Sequence, residues 1–155
     1  LVGENVVMRG NLGYLDASYD KFELDLNLDG VPDQDLSGRP VTRAPELMAG
    51  VDMTYTNTLS NGSGVRTMVG VYYEDESTFY YSADGAQFDT FLESRTLFDA
   101  NFTWTAPSGH WYASIYGKNL TDERYKNASQ YVGGLWTFST YASPRTYGIE
   151  LGFNY

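Results

Sequence analysis

The stretch DLNLDGVPDQDL places Asp25, Asn27, Asp29, Asp33 and Asp35 within eleven residues, with Gly30 at the bend. Oxygen ligands at every second position around a glycine turn suit a hard cation such as calcium. The twelfth residue from Asp25 is Leu36, where a calcium loop of this type would carry a bidentate Glu, so a solvated acidic loop is the alternative. A second group of candidates is aromatic: Phe79, Tyr80 and Tyr81 in STFYYSADG, with Tyr131 and Trp136 in SQYVGGLWTFSTYAS. Rings exposed on loops can stack on a small-molecule ligand such as a sugar or a porphyrin-like ring. The same rings can also pack loops together or form a girdle at a membrane interface.

Catalytic chemistry has little to build on, and the sequence predicts no enzyme. His110 is the single histidine and sits in the turn-like PSGHW, a poor place for a nucleophile's base. The adjacent Asp75 and Glu76 read as loop charges, with no cleft to separate their pKa values. Cysteine is absent, which removes disulfides, thiol catalysis and thiolate metal sites together. Sequon-like triplets begin at Asn61, Asn101, Asn119 and Asn127, but Asn101 falls inside a strand pattern and chance explains the set. A net charge of -10 argues against a nucleic-acid partner.

The elements that would position these residues are strands. Fourteen Tyr, eight Phe and three Trp in 155 residues coexist with a negative mean hydropathy of -0.39. Membrane barrels combine those properties, because only alternate residues need be apolar and amphipathic rings gather at both interfaces. No run approaches the roughly 18 consecutive apolar residues of a transmembrane helix. The ending YGIELGFNY alternates strictly, with Tyr147, Ile149, Leu151, Phe153 and Tyr155 against Gly148, Glu150, Gly152 and Asn154. LMAGVDMTY, VRTMVGVYYE and FDANFTW repeat the period of two, whereas WYASIYGKNL rests on its β-formers. Six strands are predicted at about 5 to 19, 44 to 56, 64 to 80, 93 to 105, 110 to 120 and 145 to 155, with no helix.

The connections alternate between long and short. Outer-membrane barrels sort their loops in this way, with short periplasmic turns and long extracellular loops. On that reading the last strand ends on the periplasmic side, with Tyr55, Trp104, Trp111 and Tyr155 near the inner edge and Tyr14, Tyr73 and Phe98 near the outer one.

Four segments, in order, resemble the C-terminal barrel portion of TonB-dependent outer-membrane receptors: NLGYLDASYDKF, LSGRPVTRAPE, YGKNLTDERY and SPRTYGIELGFNY. Together they cover essentially the whole chain. The resemblance implies an all-β, antiparallel transmembrane segment of about six meander strands within a barrel of about 22. It further implies uptake of a scarce nutrient such as a ferric siderophore, contact with outer-membrane lipid, and energy from TonB through a plug that these residues do not include. The ending also resembles the signal read by the barrel assembly machinery, carried here by Thr146, Gly148, Leu151, Phe153 and Tyr155, with Tyr where many relatives have Phe.

Beside the resemblance, Pro40 and Pro45 in RPVTRAPE are expected to stop the ladder at the strand's outer end. Asn119, Thr121 and Asp122 are expected to turn the chain after the fifth strand. LVGEN has no basic or apolar leader, as expected of a mature form or internal fragment. Two other readings remain: a complete small outer-membrane barrel, structural or adhesive, and a soluble secreted β-domain that binds calcium or carbohydrate.

Overall fold

The computed structural model of the chain describes residues 4–25, 28–82, 90–133 and 135–153. Among them are twelve strands: β1 (Val6–Tyr14), β2 (Glu23–Leu24), β3 (Gln34–Asp35), β4 (Leu47–Thr58), β5 (Gly64–Glu74), β6 (Ser77–Tyr80), β7 (Thr90–Leu92), β8 (Arg95–Thr105), β9 (Trp111–Lys118), β10 (Lys126–Val132), β11 (Trp136–Tyr141) and β12 (Thr146–Phe153). Six of these form one antiparallel sheet in the order β1-β4-β5-β8-β9-β12. The fold is all-β, and this sheet follows chain order as the sequence predicts.

The sheet is not a closed barrel: β1 and β12 each have a single neighbour. Its connections alternate as expected. Residues 59–63 and 106–110 make tight turns at one end, with Gly62 and Gly109 supplying φ of 84° and 76°. Residues 15–46, 75–94 and 119–145 make the long connections at the other.

The long connections hold what the sequence reading missed. β2 pairs with β3, β6 with β7 and β10 with β11, each as a two-stranded sheet outside the main one. β10 packs against β6 and β7, and Thr90 Oγ1 donates to the Ser129 carbonyl at 2.9 Å. Among the described residues the buried apolar side chains are Leu36, Tyr81 and Leu92, all at this end. The small core therefore lies under the loops, while the large sheet has none.

Two predicted strands are shorter than expected. The first ends at Tyr14 instead of Tyr19: its register on β4 would set Pro45, which has no N–H, opposite Asp16, and beyond that the two segments meet again only in the isolated bridge between Ser18 and Pro40. The third ends at Glu74 instead of Tyr80. Asp75 Oδ1 accepts the Glu76 amide at 2.9 Å, and this turn sends Ser77–Tyr80 into a separate hairpin.

Candidate functional site

The register decides which side chains share a face, because directly opposed residues of an antiparallel pair project to the same side. One row runs Val6, Tyr55, Thr67, Phe102, Ile115, Ile149; the next runs Met8, Met53, Val69, Ala100, Gly117, Tyr147. Every position of this face in the six strands is apolar, aromatic, Gly, Thr or Asn, and none is charged. The face is uncovered: Ile149 and Leu151 are 74% and 75% exposed. The odd residues of β12 therefore share a surface with Leu47, Val51, Met53, Phe98, Phe102 and Trp104, as the alternation predicts.

Rings collect at both ends of that face. Tyr55, Trp104, Trp111 and Phe153 lie toward the short turns, with Trp111 and Phe153 at 4.5 Å between ring centroids. Tyr14, Tyr73 and Tyr147 lie toward the long connections, and Phe98 stands one row inward from Thr96.

The reverse face is polar. Arg9, Arg66, Arg95 and Lys118 share it with Asp52, Glu74, Asp99 and Glu150, four charges of each sign. Arg95 and Glu74 form an ion pair at 2.7 Å, and Asn101 Nδ2 donates to Ser114 Oγ at 2.8 Å. Three concavities, of about 570, 280 and 530 Å³, are lined chiefly by this face, with Asp52 in all three. A sheet with hollows on its polar side and bare apolar groups on the other can separate water from an apolar medium.

The row through Val6, at the start of β1, reaches Ile149 in the middle of β12. That drift is about four residues across the sheet, three of them between β1 and β4, in the sense of the shear that tilted barrel strands require.

Glycines on the polar face are covered by cross-strand neighbours. A Cβ on Gly50 would meet Asn11, and one on Gly70 would fall 2.7 Å from Asp52 Oδ1. On β12 the covers are rings. Tyr116 lies opposite Gly148 and Tyr112 opposite Gly152, each occupying the space a Cβ would need, and the Tyr112 hydroxyl donates to Glu150 Oε1 at 2.6 Å. Thr146 and Gly148 of the expected assembly signal thus lie on the polar face and Leu151 and Phe153 on the apolar one; Tyr155 lies outside the described residues.

Immediately beyond β9, Asn119 and Asp122 adopt φ of 51° and 57°. The buried Asn119 accepts the Glu123 amide at 2.9 Å and donates to the Glu123 carbonyl at 2.8 Å and the Ser143 carbonyl at 3.4 Å, while its own amide donates to Asp99 Oδ1. Asp122 Oδ1 accepts the Arg145 amide at 3.1 Å. These bonds tie the start of the third long connection to its end, which gives the predicted turn residues Asn119 and Asp122 a definite task.

The acidic stretch is engaged with its own backbone. Asp25 accepts the amides of Leu28, Asp29 and Gly30, and Asp29 accepts that of Val31. Asp35 accepts the Ser37 amide at 2.8 Å, and the Ser37 hydroxyl and amide hold its carboxyl below the usual carboxylate range. Asn27 lies outside the described residues. Among the described residues no three Asp, Glu or His side chains gather as metal ligands.

The loop aromatics divide. The Tyr81 hydroxyl donates to the Pro40 carbonyl at 2.7 Å while Arg39 lies over its ring, and Arg43 stacks on Phe79 at 4.1 Å. These two bind loop to loop. Tyr80 and Trp136 are exposed, and Tyr131 is half-buried in β10 opposite Thr137. The five rings do not converge on one cavity. A hollow of about 540 Å³ between the first and second long connections is lined by Tyr81 and Phe91 with Glu46, Asp75 and Glu76. His110 is exposed in its turn, its ring 6.0 Å from that of Phe153.

No family model matches the chain, and neither a curated protein nor a solved structure matches it. The functional reading therefore rests on the faces of the sheet and on the four sequence segments.

Proposed function

We propose that this chain forms part of the wall of an outer-membrane β-barrel: the C-terminal strands of a TonB-dependent receptor that takes up a scarce nutrient such as a ferric siderophore. The observation that carries the reading is the uncharged, uncovered apolar face, continuous over six strands and backed by a charged, hollowed one. In a soluble sandwich a second layer would cover such a face, and no described residue does so. Strands of 8 to 12 residues match the roughly 9–11 residues a tilted strand needs to cross a bilayer. A complete eight-stranded barrel is less well supported, since the extra strands pair only among themselves in the long connections. The receptor assignment draws on the sequence resemblance alone. Lipid would contact the apolar face, the polar face would line the lumen, and TonB would act through a plug supplied by other residues.

The chain should be tested by exporting it to the periplasm of a Gram-negative host. Recovery in the outer-membrane fraction, lost on Phe153→Asp, is the expected result. Recovery as a soluble monomer would sink the membrane reading.

A further inference from the structure

We propose that the hollow between the first and second long connections seats the head of a lipid that carries a primary ammonium beside a phosphate, an ethanolamine-type headgroup. The lipid source rests on the membrane reading above; the ammonium site does not. At about 540 Å³ the hollow is large enough for a small ligand. Glu46, Asp75 and Glu76 bring three carboxylates to its wall, and Arg39 brings one guanidinium. Among the described residues no ion pair engages those carboxylates. A second observation points to a ligand. Thr78 opposes Phe91 across β6 and β7, so both side chains project to one side, and both line the hollow. Thr78 is only 7% exposed, and among the described residues its hydroxyl has no hydrogen-bond partner. A hydroxyl held away from bulk water calls for one.

Carboxylates and a hydroxyl are acceptors for the N–H groups of a primary ammonium, whereas a trimethylated one has no N–H to give. The exposed Phe91 ring offers the same cation an aromatic face. Arg39, whose guanidinium lies over the Tyr81 ring at 5.1 Å, is the basic group to meet the phosphate. The place of the hollow favours a lipid over a free amine. The Tyr73 hydroxyl donates to Asp75 Oδ1 at 3.2 Å, and the Tyr14 hydroxyl lies against the Glu46 carboxylate. Both tyrosines stand at the loop end of the apolar face, Tyr14 opposite Leu47 and Tyr73 opposite Ala49. The hollow therefore borders that face, and an acyl chain leaving a headgroup there can run down its uncovered surface.

Native mass spectrometry of the full chain in a maltoside detergent tests this, with phosphatidylethanolamine, phosphatidylcholine and phosphatidylglycerol of identical acyl chains supplied in equimolar amounts. Phosphatidylethanolamine should be retained about tenfold over the other two, the worth of one charge-assisted hydrogen bond. Glu46→Gln with Asp75→Asn and Glu76→Gln should bring the three lipids within about twofold, and Thr78→Val should lower the preference about threefold. The Asn and Gln replacements keep the acceptor that Tyr73 uses, and an unchanged circular dichroism spectrum shows that the sheet is intact. Equal retention of the three lipids by the native chain, or a preference that survives the triple variant, would overturn the proposal. Displacement of the lipid by equimolar soluble phosphoethanolamine would overturn its lipid source. A chain that keeps the preference in detergent but never inserts into vesicles leaves the headgroup site standing and removes the membrane reading.

Discussion

Three hydrogen bonds converge on the Asn119 side chain, which holds a left-handed backbone while making them. Asn119→Ala removes buried bonds and leaves a Cβ-bearing residue without a local partner at positive φ, a loss of about 2–3 kcal/mol. Chemical denaturation in detergent should show it, and a change below the noise would mean the turn is held by other groups. Gly148→Val forces its side chain against Tyr116, whose hydroxyl would lie 2.6 Å from the new Cβ. The ring must leave, at about 1–3 kcal/mol; the double variant with Tyr116→Ala should recover part of that loss. At the loop end, Lys126 Nζ donates to Glu93 Oε1 at 2.7 Å and holds the Glu93 carboxyl below its ordinary value. A lowered folded-state pKa gives stability that is present above the ordinary carboxylate range and lost as pH falls through the lowered value. The pair is exposed on the Glu93 side, so its contribution is about 0.2–1 kcal/mol. Emission of Trp136, read in a Trp104→Phe, Trp111→Phe background, should shift on acidification below that range, and Lys126→Met should abolish the shift.

At the scale of the elements, the two faces of the sheet should respond oppositely to charge. Ile149→Arg, on the apolar face, is expected to cost about 2–4 kcal/mol in a bilayer, and Thr54→Arg, on the polar face, much less. Equal costs in vesicle-refolding titrations would remove the distinction between the faces. The six strands of the main sheet were legible because LMAGVDMTY, FDANFTW and YGIELGFNY alternate without a break and burial need not be known to count a period of two. The loop hairpins were not. Gly133-Gly134 between QYV and LWTF is a hairpin signal that could have revealed β10 and β11. β2 and β3, at two residues each, leave no period to read. The burial of Tyr81 and Leu92 has no local signal either, since it comes from contacts between segments distant in sequence. The ring–glycine pairs needed register: nothing in WYASIYGK alone says that Tyr112 and Tyr116 will face Gly152 and Gly148. Asp25 was read as either a calcium ligand or a solvated loop charge, and it accepts backbone amides in a turn, a task that needs the same short acceptor.

As a whole, the molecule is a wall with two open edges, β1 and β12, and a cap of loop hairpins at one end. Unpaired edges beside a bare apolar face recruit other strands, so the isolated chain should oligomerise or require detergent. Sedimentation with and without detergent checks this, and a stable monomer without detergent would speak against it. The central claim is that the odd positions of β12 face lipid and the even ones face water, and the cysteine-free chain permits it to be read position by position. Single Cys substitutions from Tyr147 to Phe153, spin-labelled in the full chain after refolding into vesicles, are compared for relaxation by oxygen, which concentrates in lipid, and by a water-soluble nickel chelate. Positions 147, 149, 151 and 153 should respond to oxygen and positions 148, 150 and 152 to nickel, alternating without a break. Equal nickel access at odd and even positions, or protection of both, would contradict a lipid-facing wall.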